Sequence, residues 1–221
     1  STIPNGSKEI PDLEDEGEES LKVKTLAPDF GFNDFGTIAH LFMEAAVLNR
    51  EPSLSGREFI GINEKFISGL GMEKWEGKTN REKKILKIRE ICSDMAEELK
   101  KSQIFREAFS SEWKKTEYSF RSFIENALPP DNETTYAKNL IVTGQIDLVY
   151  KNMAPSQFKY TIVDYKTNQK IEPEIYFGQL SCYRRAVSQM LGVAESEIRC
   201  VLYYLRFASE VDITGFLSEE K

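Results

Sequence analysis

The sequence predicts an α/β protein built on a mixed sheet, and three observations carry that prediction. Apolar residues in the first half recur at helical spacing. The second half turns to Val-, Ile- and Tyr-rich runs, and one helical segment interrupts those runs. The chain has 221 residues, the length of one large domain or of one domain with a tail. A chain of this size buries roughly 70% of its unfolded surface, so it needs neither disulfide nor metal to fold.

Taken in order, residues 1–25 hold seven acids, Glu9, Asp12, Glu14, Asp15, Glu16, Glu18 and Glu19, against Lys8, Lys22 and Lys24. That is −4 of the total charge of −7, in a stretch with Pro, Gly and Ser but few large apolar residues. It is predicted to be an acidic linker or tether, with the folded domain spanning 26–221. A tether at the N-terminus suggests a domain cut from a longer protein. From Gly36 to Asn49, Ile38, Leu41, Phe42, Ala45 and Leu48 fall at helical spacing. Residues 51–80 are broken by Pro52, Gly56, Gly61, Gly69, Gly71 and Gly77, leaving room only for short turns. Asn80 opens the longest helix, with Ile85, Ile88, Cys92, Met95 and Leu99 as its stripe, running to about Lys101. Thr116–Phe123 reads as a strand. Leu140–Tyr150 and Tyr160–Lys166 read as an antiparallel hairpin turning near Asn152–Ser156. Pro173 to Leu191 reads as a helix ended by Gly192, followed by strands at Ile198–Phe207 and Val211–Phe216.

Composition excludes several classes. Cys92, Cys182 and Cys200 are odd in number and form no CxxC pair, which argues against a disulfide framework, a zinc ribbon or a four-cysteine iron–sulfur site. Their use fits a reducing, cytoplasmic setting. No apolar run approaches membrane-spanning length, and the N-terminus is too polar for a signal peptide, so no membrane association is expected. The acidic balance argues against a generic polyanion-coating protein, while leaving nucleic acid open because charge distribution counts for more than its sum.

One phosphate-loop candidate fails. Gly77-Lys78-Thr79 would need a glycine where Met72 stands, and Glu73 and Glu76 would repel phosphates. The informative stretch is Gly144-Gln145-Ile146-Asp147-Leu148-Val149 followed by Ile162-Val163-Asp164-Tyr165-Lys166-Thr167. Asp147 and Asp164 sit in apolar strands, where a carboxylate is costly unless it is paired or binds metal. Strand geometry points Asp164 and Lys166 to one face, and pairing as a hairpin brings Asp147 toward Asp164. Two carboxylates beside a lysine suit a hard divalent cation. They suit a buried Asp–Lys ion pair as well, so spacing alone leaves both readings open. Gln179 and Tyr183 share a helix face that either turns to the sheet or forms a solvated polar patch. Glu117 lies in the preceding strand. His40, the single histidine, lies among apolar neighbours on the first helix, where it is a core residue or a ligand.

The ordered set Gly36…His40, Glu117, Gly144-Gln-Ile-Asp147, Asp164-Tyr-Lys166-Thr and Gln179-Leu-Ser-Cys-Tyr183 resembles the PD-(D/E)xK nuclease superfamily. More narrowly, it resembles the C-terminal nuclease domain of AddA- and RecB-type helicase–nucleases. The likeness runs from about Gly36 to Phe207 and implies a restriction-endonuclease-like mixed sheet flanked by helices. It further implies a Mg²⁺- or Mn²⁺-dependent deoxyribonuclease acting in double-strand-break repair and recombination. His40, Asp147, Asp164 and the backbone carbonyl of Tyr165 would hold the metal. Lys166 would assist hydrolysis, as charge stabiliser in preference to general base, and Gln179 and Tyr183 would support the site and the DNA. Glu117 carries over least directly. Lacking the four cysteines of some relatives, the chain resembles the branch without an iron–sulfur cluster. The same resemblance implies a helicase motor on the same chain and an AddB- or RecC-like partner subunit. Two rival expectations are a catalytically silent DNA-binding scaffold of the same fold and a standalone exonuclease of the phage-recombination type. A start methionine near Ser1 would favour the exonuclease, and the sequence begins with Ser1 instead.

Overall fold

The computed structural model describes residues 32–55, 72–128 and 138–217. The tether expected over residues 1–25 and most of the glycine-broken stretch before Gly71 lie outside those residues. Among the described residues, α1 (Phe32–Val47), α2 (Asn80–Lys101) and α3 (Gln103–Ser110) precede β1 (Lys114–Leu128), β2 (Lys138–Lys151) and β3 (Tyr160–Lys166). There follow α4 (Phe177–Leu191), β4 (Ile198–Tyr204) and β5 (Ser209–Asp212). The sheet order is β1-β2-β3-β4-β5. Every neighbouring pair is antiparallel except β3–β4, which α4 connects by a crossover. This five-stranded mixed sheet with four flanking helices is the restriction-endonuclease-like α/β architecture.

Side chains alternate across the sheet to make two cores. On one face Leu148, Tyr150, Val163, Tyr165, Val201 and Tyr203 pack with α1, α2 and α3. On the other, Val149, Ile162, Cys200, Leu202 and Tyr204 pack with Leu180, Ala186 and Val187 of α4. The helices begin and end on local chemistry. Gly77-Lys78-Thr79 leads into α2, whose N-cap Thr79 forms a capping box with Glu82. Ser102 closes α2 and caps α3, accepting from the Phe105 N–H at 3.1 Å. Gly192 ends α4 at φ +65°, where a side chain would be strained.

Several boundaries differ from expectation. The first helix stops at Val47, and Leu48 is 37% exposed because the chain turns through Asn49 at φ +52°. Pro173 opens a separate 3₁₀ turn to Tyr176 ahead of α4. The two last strands are shorter than expected: β4 ends at Tyr204, and Thr214–Phe216 is a 3₁₀ turn. Helix α3 was not foreseen.

Candidate metal centre

Strands β2 and β3 pair from Lys151 and Tyr160 to Leu148 and Val163, and there the ladder stops. Asp147 and Asp164 come next in register. The splay frees the backbone N–H of Tyr165, which donates to Asp147 Oδ2 at 2.7 Å. A second irregularity lies across from it. The β1–β2 ladder runs through Thr116–Leu148 and Tyr118–Ile146 but omits Glu117 and Asp147 between them, and Glu117 has φ +48°. Ile146 packs with the α4-side core and Leu148 with the opposite one, two residues apart. The strand thus reverses its facing at Asp147, leaving that carboxylate in the gap with groups on both sides.

On the α1 side stand His40 and Glu117. His40 Nε2 donates to the Tyr165 carbonyl at 3.2 Å, and Nδ1 lies 3.4 Å from Asp147 Oδ1. Both ring nitrogens therefore face oxygen, which favours the imidazolium. Burial alone would lower the His40 pKa. The hydrogen bond and charge of Asp147, with Asp164 and Glu117 behind it, outweigh burial and raise it. One ligand atom from each of His40, Glu117 and Asp147 falls within 4.8 Å of the others.

On the α4 side stand Asp164 and Lys166, with Lys166 Nζ 2.5 Å from Asp164 Oδ2. Lys166 also donates to Gln179 Oε1 at 3.1 Å, and its charge lies 3.7 Å above the centre of the Tyr176 ring. Gln179 Nε2 donates to the Tyr183 hydroxyl at 2.7 Å and approaches Asp164 Oδ1 at 3.4 Å. Burial pushes the Tyr183 phenol up to about 12. Its ring meets Phe120 edge to face at 5.5 Å. Phe120 lies over Gly144, where a Cβ would come within 2.7 Å of the Phe120 ring, so only glycine fits there without a shift.

Electrostatics mark the gap as a place for a cation. Burial and the charge of Asp147 push Asp164 up to about 6 against the opposing pull of Lys166. Burial and Asp147 raise Glu117 as well. His40, Glu117 and Asp147, held within 4.8 Å of one another, with the buried Asp164 carboxylate beside them on Lys166, are donors of the kind a hard divalent ion takes.

The eight residues singled out in the sequence are brought together in two linked halves. Asp147 joins them, His40, Glu117 and the Tyr165 carbonyl flank it on one side, and Asp164, Lys166, Gln179 and Tyr183 on the other. The compact three-ligand cluster includes Glu117, while the Asp164 carboxylate turns to Lys166 and Gln179. Three neighbours went unforeseen. Tyr176 supplies the ring under Lys166, and its hydroxyl donates to Asn168 at 2.9 Å. Arg206, 3% exposed, donates from Nε to the Thr167 carbonyl at 2.6 Å and so pins the end of β3. An arginine in an otherwise apolar strand end was the one signal available for it.

A family model described as "PD-(D/E)XK nuclease superfamily" matches residues 18–219. No curated protein matches the chain in sequence.

Proposed function

The chain belongs to the PD-(D/E)XK nuclease superfamily, and from that premise we propose that it hydrolyses DNA phosphodiester bonds with Mg²⁺ or Mn²⁺. Members of the superfamily are usually metal-dependent nucleases. The observation that carries the reading is the placement of Asp147 in the β2–β3 splay, with His40 and Glu117 on one side and the Asp164–Lys166 pair on the other. His40, Asp147, Asp164 and the Tyr165 carbonyl would hold the ion, joined by Glu117, which lies with His40 and Asp147 in the 4.8 Å cluster. A divalent ion held by these residues would supply Lewis-acid polarisation of the scissile phosphate and a more acidic bound water. Lys166, fixed by Gln179 and the Tyr176 ring, stabilises charge on the phosphoryl oxygens. Tyr183 orients Gln179 through its hydroxyl.

The narrower assignment is the nuclease domain of an AddA- or RecB-type enzyme in cytoplasmic DNA break repair, with a helicase motor and an AddB- or RecC-like subunit as partners. It is supported by the order Gly36…His40, Glu117, Gly144…Asp147, Asp164…Lys166 and Gln179…Tyr183. Among the described residues no helix is long and apolar enough to cross a membrane. The deciding experiment pairs calorimetric Mg²⁺ and Mn²⁺ titration with cleavage of labelled DNA, with and without chelator. Metal binding with chelator-sensitive cleavage is the expected result. Metal binding without cleavage would move the protein to the silent-scaffold reading.

A further inference from the structure

Strands β1 and β2 outrun the rest of the sheet. β3 leaves β2 at Leu148, whereas β1 stays paired with β2 through Phe123 and Ile141. The two strands thus project past the metal centre as an arm. One face of the arm is braced by α4: Phe120 and Ser122 are buried, and Ser122 Oγ donates to Gln189 Oε1 at 2.5 Å. Gln189 in turn donates to the Phe123 carbonyl at 3.0 Å. The other face presents three cross-strand rows, Ser119 with Gln145, Arg121 with Thr143, and Phe123 with Ile141, all of them exposed. Phe123 is 49% and Ile141 57% exposed.

These rows continue directly from the metal centre. The Ser119–Gln145 row lies two residues from Glu117 and Asp147, and Gln145 Nε2 donates to the Glu117 carbonyl at 3.2 Å. Phe123 lies six residues beyond Glu117, about 20 Å along the strand. Over that distance the face offers hydroxyl and amide groups, then a guanidinium, then an aromatic–aliphatic pair, with no acid among the six. A chain of net charge −7 has to attract a polyanion locally, and this acid-free face begins at the site.

We propose, on the nuclease reading above, that this face of the β1–β2 arm is the track for an unpaired DNA strand entering the metal centre. Arg121 meets a backbone phosphate and Phe123 stacks a base a few nucleotides from the scissile bond. The strand is single because a half-exposed ring beside an aliphatic side chain takes up an unstacked base, whereas duplex DNA keeps its base faces internal. The rigid backing by α4 holds the ring in place before the strand arrives.

The test is fluorescence anisotropy of labelled oligothymidine against the full chain without divalent ion, with sedimentation and thermal melts of each variant. Phe123→Ala is expected to weaken binding of a probe of about nine nucleotides roughly tenfold, and Phe123→Trp to restore it. Arg121→Ala should flatten the logarithmic salt dependence by about 0.7, the loss of one single-strand phosphate contact. A probe of about three nucleotides, too short to reach Phe123 from the centre, should bind parent and Phe123→Ala alike. Where the alanine variant melts early, Phe123→Leu removes the ring and keeps the volume. Unchanged binding of the longer probe, or equal loss on duplex DNA, would overturn the assignment. So would a concentration-dependent dimer abolished by Phe123→Ala, since a second copy would then cover the face. Cleavage in Mg²⁺ or Mn²⁺ is scored separately. A parent that binds through the arm but never cleaves sinks the nuclease reading alone, and one that cleaves with Phe123 neutral sinks the arm alone.

Discussion

The two ends of the sheet hold carboxylates to opposite effect, partly exposed at one end and buried at the other. At the end away from the splay, Arg199 Nε reaches Asp212 Oδ2 at 2.7 Å and Nη1 lies 3.7 Å from Glu107 Oε2. Tyr150 donates to the same Glu107 carboxylate at 2.7 Å, and Thr214 N–H donates to Asp212 at 3.0 Å. Burial there works against ionisation of Asp212, but Arg199 and Thr214 outweigh it and its pKa is lowered. At the splayed end, the one ammonium contact of Asp164 does not offset burial and Asp147, and the carboxyl is pushed up to about 6. Both ends of the sheet set carboxylates against cations. The first is a satisfied ion-pair network that stabilises the fold, and the second holds more negative charge than the protein itself balances. An excess of that kind is what a divalent ion relieves.

The comparison breaks most sharply on Lys166. Lys166→Ala should lower DNA cleavage by roughly 10²–10³-fold, the usual loss for one transition-state stabiliser. Metal affinity by calorimetry should stay equal or tighten, because a positive charge beside the ion is gone. Asp164→Ala should lose metal binding and cleavage together. Parental cleavage by Lys166→Ala, or normal metal binding by both variants with early unfolding, would make the splayed end a second structural ion pair.

Stability against pH should run in opposite directions at the two ends. Asp164 and Glu117 have raised pKa values when folded, so between the unfolded values, about 3.9 for Asp and about 4.3 for Glu, and the folded ones the native state binds the extra proton. Stability from the splayed end therefore falls as pH rises through that window. His40 has the same sign: its contribution is complete below about 6.5 and is lost as pH rises through its raised folded value. Asp212, lowered when folded, contributes above its unfolded value and loses that contribution in acid. The measurable outcome is a Mg²⁺-induced rise in melting temperature that is large near pH 7.5 and small near pH 5. An equal rise at both would show that metal does not compete with protons in the gap.

Gly144→Ala tests the packing that supports Lys166 through Phe120, Tyr183 and Gln179. Its Cβ would stand 2.7 Å from the Phe120 ring, which must move and take the Tyr183 contact with it. Overpacking of this kind costs about 1–3 kcal/mol, or roughly 2–12 °C in melting temperature for a chain of this size. Gly36→Ala makes a control, because its Cβ would meet Thr167 Oγ1 at an ordinary 3.6 Å. The smallest effect is expected at the closed end. Arg199→Met should cost about 1 kcal/mol, some 2–4 °C, because the pair is partly solvated, and DNA cleavage should be unaffected.

How far the sequence reached depended on whether the signal was local. Strand β3 and helix α2 have the bounds their patterns predict, Tyr160–Lys166 and Asn80–Lys101, because each buries a continuous apolar run or stripe within one element. Helix α3 escaped notice because eight residues make too few turns to show a period, and its anchor, the Ser102 cap shared with α2, looks like a break. Asp147, Asp164 and Lys166 stood out as polar residues in apolar strands, whereas His40, Gln179 and Tyr183 joined them as a set only through the family resemblance.

The sequence by itself determined the sheet-and-helix class, the two costly aspartates in adjacent strands and the lysine sharing a face with one of them. Only the tertiary structure decided the rest. The ladder stops at Leu148 and Val163, Glu117 takes φ +48° opposite Asp147, and the facing of β2 reverses there. Glu117 thereby joins His40 and Asp147, Tyr176 comes under Lys166, and β1 and β2 continue alone as an arm. The physical reason is that periodicity reports which side of its own element a residue occupies. Where two strands part is set by their register against each other and by the helices packed on both faces, and no window of one chain segment contains that information.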